Sequence, residues 1–239
     1  MVNDEQCGVT LDHDNGVLDD PVGASLRGAH AHLGHTLGNT GLYRSGVATF
    51  ATVGVDPGPQ EWRDLAQQLG RGEVADMFSC DSLPPRDWAP LFALEGRQMV
   101  GPERVGHTET APAVELGAES VPEMLDLVAR TRPGPFWPRT HELGTYLGIR
   151  DAGTLVAMAG ERLHPPGWTE ISAVCTDPEH RGHGYAARLI NELVARILAR
   201  GERPFLHAAE ANTGAIALYE RLGFRTRRHV TFRGFRTPS

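Results

Sequence analysis

The sharpest hydrophobic rhythm in the chain falls at Leu189, Ile190, Leu193, Val194, Ile197 and Leu198, paired apolar positions that return every four residues. That period lays one stripe along an α-helix, which Gly201 closes. Glu192 and Arg196, four apart on the other face, predict an ion pair. Before this helix, residues 145–150, 155–163 and 169–176 read as strands, the first two joined by a hairpin signal at 151–153. Further upstream, residues 114–116 read as a short strand. Ser120 and Glu123 have the spacing of a capping box for a helix through Arg130. After the striped helix, residues 204–209 read as a short buried strand. Asn212 caps a last helix to Leu222, which Gly223 ends. Residues 224–235 supply one or two closing strands.

The pattern is weaker in the first hundred residues. Leu26, His30, Leu33 and Leu37 recur at helical spacing and predict a small-residue helix over 21–37. Residues 43–53 and 73–79 read as strands and 98–100 as a third. Residues 60–69, opened by Pro57 and Pro59 with Trp62, Leu65 and Leu69 on one face, read as a helix, and so do 87–94. The class is α/β (α+β), divided at a polar linker over 102–112 that carries Pro102 and Pro112. Residues 1–20 read as an acidic mobile tail, 21–101 as a smaller N-terminal α/β domain, and 113–236 as the main domain. The N-terminal half has no glycine turn and no close set of titratable residues, so it is assigned no chemistry.

Composition narrows the classes. The chain has 239 residues, 40% hydrophobic and 22% charged, as expected of a folded protein. It has no 18-residue apolar run, and residues 1–20 lack the basic and apolar regions of a signal peptide. Cys7, Cys80 and Cys175 are scattered and suggest neither a zinc site nor a disulfide framework. The expectation is a cytoplasmic protein with no membrane partner. His30, His32 and His35 have no carboxylate or cysteine at ligand spacing, so they read as surface or core histidines and no metal is expected. The net charge of −7 is uneven: −6 over 1–20, −7 over 21–178 and +6 over 179–239. The positive segment suits an anionic ligand. Without a basic surface interleaved with aromatics, nucleic acid is not expected.

The positive segment holds a glycine turn at the mouth of the striped helix, where free N–H groups and the helix dipole favour a phosphate. The letters from Gly182 to Ala187 match a dinucleotide fingerprint formally. A Rossmann turn, however, follows its strand directly and has an acid about 20 residues on at the end of the next strand; here six residues intervene and the next strand ends in His207-Ala208-Ala209. The better match is Arg181-x-x-Gly184-x-Ala186. With the V-C-T-D-P-E-H run before it and N-T-G-A-I-A-L-Y-E-R-L-G-F from Asn212, it resembles the acetyl-CoA motif and later helix of the GNAT superfamily of N-acetyltransferases. The resemblance covers about residues 113–236. It implies a mixed, mostly antiparallel central sheet flanked by helices.

The resemblance also implies roles. The pyrophosphate of acetyl-CoA would rest on the backbone of Gly182, His183, Gly184, Tyr185, Ala186 and Ala187, with Arg181 adding charge. Val174, Cys175 and Thr176 would offer strand backbone to pantetheine, and Asn212 a further contact. An N–H near Thr176 would hold the oxyanion. Glu170 would be the base that frees the amine, its pKa raised by burial. Tyr219 would protonate the leaving thiolate, and His207 is a second candidate base. Cys175 points away by strand alternation, so no acyl-cysteine is expected. Residues 135–138, P-F-W-P, are candidates for the acceptor wall. The expected reaction is direct transfer from acetyl-CoA to a small-molecule or peptide amine. The alternatives are a longer acyl donor and a catalytically silent CoA-binding protein. A homodimer and a degenerate GNAT-like N-terminal half stay open.

Overall fold

The computed structural model describes residues 15–78, 80–104 and 113–239. Its strands are β1 (Gly34–Leu37), β2 (Thr40–Tyr43), β3 (Ala51–Thr52), β4 (Val74–Met77), β5 (Ala89–Val100), β6 (Val114–Glu115), β7 (Tyr146–Asp151), β8 (Thr154–Glu161), β9 (Trp168–Thr176), β10 (Arg203–Ala209) and β11 (Arg225–Arg236). The helices are α1 (Pro21–Leu26), α2 (Pro59–Leu69), α3 (Val121–Thr131), α4 (Tyr185–Ala199) and α5 (Thr213–Arg221). Among the described residues, eight strands form one sheet in the order β4-β11-β5-β10-β9-β8-β7-β6, and β1-β2-β3 form a second. Only the β9–β10 pair of these ladders is parallel. The inner strand β8 is buried along nearly its whole length, as a strand covered on both faces must be. The α4 stripe packs on one face with Ile171 and Leu206. Met124 and Leu127 of α3 pack on the other with Tyr146, Met158 and Cys175.

The C-terminal elements fall where the periodicity placed them, whereas several N-terminal ones do not. Residues 87–88 form a turn and 89–94 the start of the long strand β5, not a helix. There β5 pairs with β11, and from Gly96 onward with β10 as well, and these ladder bonds outweigh the local pattern. The ring of Phe232 lies 2.4 Å from where a Cβ on Gly96 would sit, so this close pairing requires glycine. The helix expected over 21–37 ends at Leu26, and the chain turns into β1 and β2. The strand expected over 43–53 is split between β2 and β3.

Residues 1–14 of the expected tail lie outside the described residues, but 15–20 are packed chain. Leu18 is fully buried, its carbonyl accepts from Gln98 Nε2 at 2.8 Å, and Asp20 caps α1 through the N–H of Gly23 at 2.9 Å. Residues 105–112 of the expected linker also lie outside the described residues. The large sheet draws β4 and β5 from before that segment and its other strands from after it. A single core cluster joins Leu18, Leu26 and Phe50 to Leu143, Trp168 and Phe205. The capping box at Ser120 does not form. Its side chain makes no cap bond, and Glu123 instead accepts from Arg150 at 2.6 Å. The Glu192–Arg196 pair forms at 2.9 Å.

Candidate active site

The site exists because β9 and β10 part company. They pair from Trp168 and Arg203 as far as Ile171 and Leu206, after which His207 to Ala209 run only against β5. Ser172 to Thr176 thus present an edge with no β10 partner. On its other side β9 bulges against β8, where the register shifts between Met158 and Gly160. Ala173 takes φ 52° there, a left-handed conformation costing an L-residue about 1–2 kcal/mol. The splay opens a cavity of about 950 Å³.

At one end lies the glycine turn. The Asp177 carboxylate accepts from the N–H of Glu179 at 3.0 Å and pairs with Arg130, which fixes the entry to the turn. Arg181 Nε donates to the Thr176 carbonyl at 3.4 Å. Gly182 and Gly184 have φ of 84° and 74°, where L side chains are strained, and a Cβ on either would meet nothing within 4 Å. No side chain caps α4 and its first turn holds no acid, so its N–H groups face open space. That is a fitting seat for a diphosphate. Arg181, Gly182, Gly184, Tyr185, Ala186 and Ala187 line the cavity. His183 is not among the lining residues; it is exposed and stacks on Tyr185 at 5.6 Å.

The other predicted residues converge on the same cavity, which Val174, Cys175, Thr176, Asn212 and Tyr219 line. Asn212 also caps α5, its Oδ1 accepting from Ala215 at 3.2 Å. Cys175 packs within the α3 cluster, and burial pushes its thiol pKa up. Burial also raises Tyr219 to about 12, so it stays a protonated donor. Of the proline-rich loop, Pro135 lines the cavity, Phe136 packs edge-on against Tyr146 at 5.5 Å, and Trp137 is exposed.

The expectation of a raised Glu170 pKa requires a correction. It is fully buried and is not among the cavity-lining residues. Arg162 grips it with two bonds, Nε at 2.8 Å and Nη2 at 2.6 Å, and His207 Nδ1 lies 2.6 Å from its Oε1. Burial alone would raise its pKa, but the Arg162 charge and bonds, aided by His207, outweigh that and hold it at about 2. A carboxylate so held is a poor proton acceptor. His207 is committed as well. With Nδ1–H donating to Glu170, its Nε2 accepts from Gln98 Nε2 at 3.2 Å. Gln98 is oriented by Arg227, which donates to its Oε1 at 2.9 Å. Burial, the largest influence, lowers the His207 pKa and keeps the ring neutral.

The far end of the cavity is built by the half that was assigned no chemistry. Phe50, Asp76, Phe78, Phe92 and Leu94 line it, together with Arg162 and Phe232. Phe78 stacks on Phe232 at 4.8 Å and meets His207 at 4.7 Å, and the Arg162 guanidinium lies 4.5 Å from the Phe78 ring. In V-A-D-M, burial alternates as a strand requires, with Ala75 and Met77 in the core. An acid between them was the available signal, but one charge in a short strand reads equally as a solvated edge.

Residues 146–233 match the model of the FR47-like protein family. A crystal structure from Novosphingobium aromaticivorans, described as a GNAT-family acetyltransferase, is 38% identical with a TM-score of 0.82, covering 95% of this chain and 100% of that one. The N-alpha-acetyltransferase RimI of Mycobacterium tuberculosis is 40% identical over 82 residues, 33% of this chain and 51% of that protein. The mycothiol acetyltransferase of Thermobispora bispora is 39% identical over 90 residues, 34% of this chain and 30% of that protein. The chain thus spans about half or less of the length of these two curated relatives. With the splayed strands, the glycine turn and a whole-length relative in agreement, the chain belongs to the GNAT superfamily of acetyltransferases. No helix among the described residues is long and apolar enough to cross a membrane.

Proposed function

We propose that the chain transfers an acetyl group from acetyl-CoA to a primary amine by direct attack while both are bound. The observation that carries this is one continuous cavity, with an anion seat at the α4 N-terminus at one end and an aromatic chamber at the other. The N–H groups from Gly182 to Ala187 and Arg181 hold the pyrophosphate. The free edge from Ser172 to Thr176 pairs with the pantetheine amides. That edge leads the thioester toward Tyr219, whose protonated hydroxyl serves the departing thiolate. Glu170, with Arg162, orients the His207 wall and is not the base.

The two curated relatives are named for different acceptors, so their names do not choose one for this chain. The test is thiol release from acetyl-CoA and from longer acyl-CoA donors with a panel of amines and N-terminal peptides. Amine-dependent release from acetyl-CoA is the expected result. Tight binding of acetyl-CoA without release for any amine would refute transfer.

A further inference from the structure

With Glu170 and His207 both committed, the reaction still needs a group to take the proton of an alkylammonium. The described titratable groups lining the cavity include cationic arginines, the buried thiol of Cys175, Tyr185, Tyr219, His180 and His207. His180 lies by the glycine turn and is engaged with Asp151 at 3.2 Å. Asp76 is the one carboxylate among the described lining residues. It sits on the edge strand β4, bridged to Phe50 and opposite Gly234 of β11, so no side chain from that partner covers it. Its Oδ2 accepts from the Thr49 hydroxyl at 2.6 Å. No described residue hydrogen-bonds to its Oδ1. Beside it, the phenylalanine wall runs through Phe78 to His207.

We propose that Asp76 is the catalytic base: it receives the acceptor ammonium at Oδ1 and takes its proton. The proposal rests on the acetyl-transfer reading. One N–H proton passes to Asp76. The freed nitrogen lone pair forms the C–N bond to the acetyl carbon as the C–S bond breaks. The C–S electron pair leaves on sulfur, which takes a proton from Tyr219. The nitrogen's surplus proton goes to water in the cavity, from which the phenolate is reprotonated.

The charges around Asp76 suit this. Arg162 faces it from the end of β8 and is balanced by Glu170 of β9, while His207 of β10 is neutral. Thr49 contributes only a hydroxyl. Burial, the largest influence, raises the Asp76 pKa above the ordinary 3.8, against the Thr49 bond and the Arg162 charge. A carboxylate raised in this way is a better proton acceptor than an exposed one.

The test is steady-state kinetics across pH with the full chain, alongside calorimetric titration of acetyl-CoA. Asp76→Asn is expected to lower kcat by about 10²-fold or more with an unchanged acetyl-CoA Kd, and to abolish the acidic limb of the pH profile. Asp76→Glu restores part of the rate. Thr49→Val, which removes a bond to the carboxylate, moves the acidic limb to higher pH, a shift that a purely structural Asp76 would not give. An undiminished kcat in Asp76→Asn, or an unmoved limb in Thr49→Val, overturns the assignment while wild-type turnover stands. A wild-type protein that turns over no amine overturns the transfer reading, and the assignment with it.

Discussion

Replacing Glu170 by Gln separates the two roles that residue can have. The side chain is fully buried and doubly bonded to Arg162, itself nearly buried. Removing the charge leaves the guanidinium unpaired in the interior, a change that costs about 3–5 kcal/mol. The pKa gives a second route. A carboxyl that falls from 4.5 to about 2 on folding contributes about 3 kcal/mol to stability. Because the folded pKa is depressed, this contribution is complete above pH 4.5 and is lost as pH falls toward 2. Glu170→Gln is therefore expected to lose about 3 kcal/mol of unfolding free energy at pH 7, with the gap closing in acid. Urea denaturation followed by tryptophan fluorescence, with Trp62, Trp88 and Trp168 buried, measures it. Arg162→Gln should cost a similar amount, and the double variant less than the sum. If Glu170→Gln unfolds within about 0.5 kcal/mol of wild type at pH 7 while kcat collapses, the carboxylate is not a buried anchor and the argument fails.

Three further outcomes follow from the site and the core. Gly184→Ala should fold with a penalty of about 1–2 kcal/mol from its left-handed backbone and weaken acetyl-CoA binding, read by melting and calorimetry. Tyr219→Phe should reduce kcat by about 10²-fold with acetyl-CoA Kd unchanged, and Tyr219, held at about 12, should give wild type no alkaline limb below pH 10. His30 is buried, with Nδ1 2.8 Å from the Tyr43 hydroxyl and Nε2 3.0 Å from the Leu143 carbonyl, and burial lowers its pKa from 6.5 to about 4. The unfolded chain takes up a proton the folded chain refuses, so stability falls between pH 6.5 and 4, and the melting temperature of His30→Gln should fall less steeply there.

The sequence alone determined the part of the cavity around the glycine turn. A four-residue apolar rhythm, a strand before it and two left-handed glycines between them are local features. Local physics places them: α4, β9 and the turn formed with Arg181, Gly184, Asn212 and Tyr219 facing one cavity. Glu170 was legible as an acid at the right strand but not as an ion-paired one. Its pKa depends on Arg162, eight residues away, and His207, thirty-seven away, and their convergence is set by strand register. The aromatic part of the cavity was decided by tertiary structure. Residues 87–94 read as a helix until β11 pairs with the first half of β5, whose second half β10 also bonds. Asp76 and Phe78 look like ordinary members of a short strand until the pairing of β4 with β11 brings them into the lining of the same cavity as the glycine turn. Periodicity reports which face of an element is apolar; it does not report which element that face will meet.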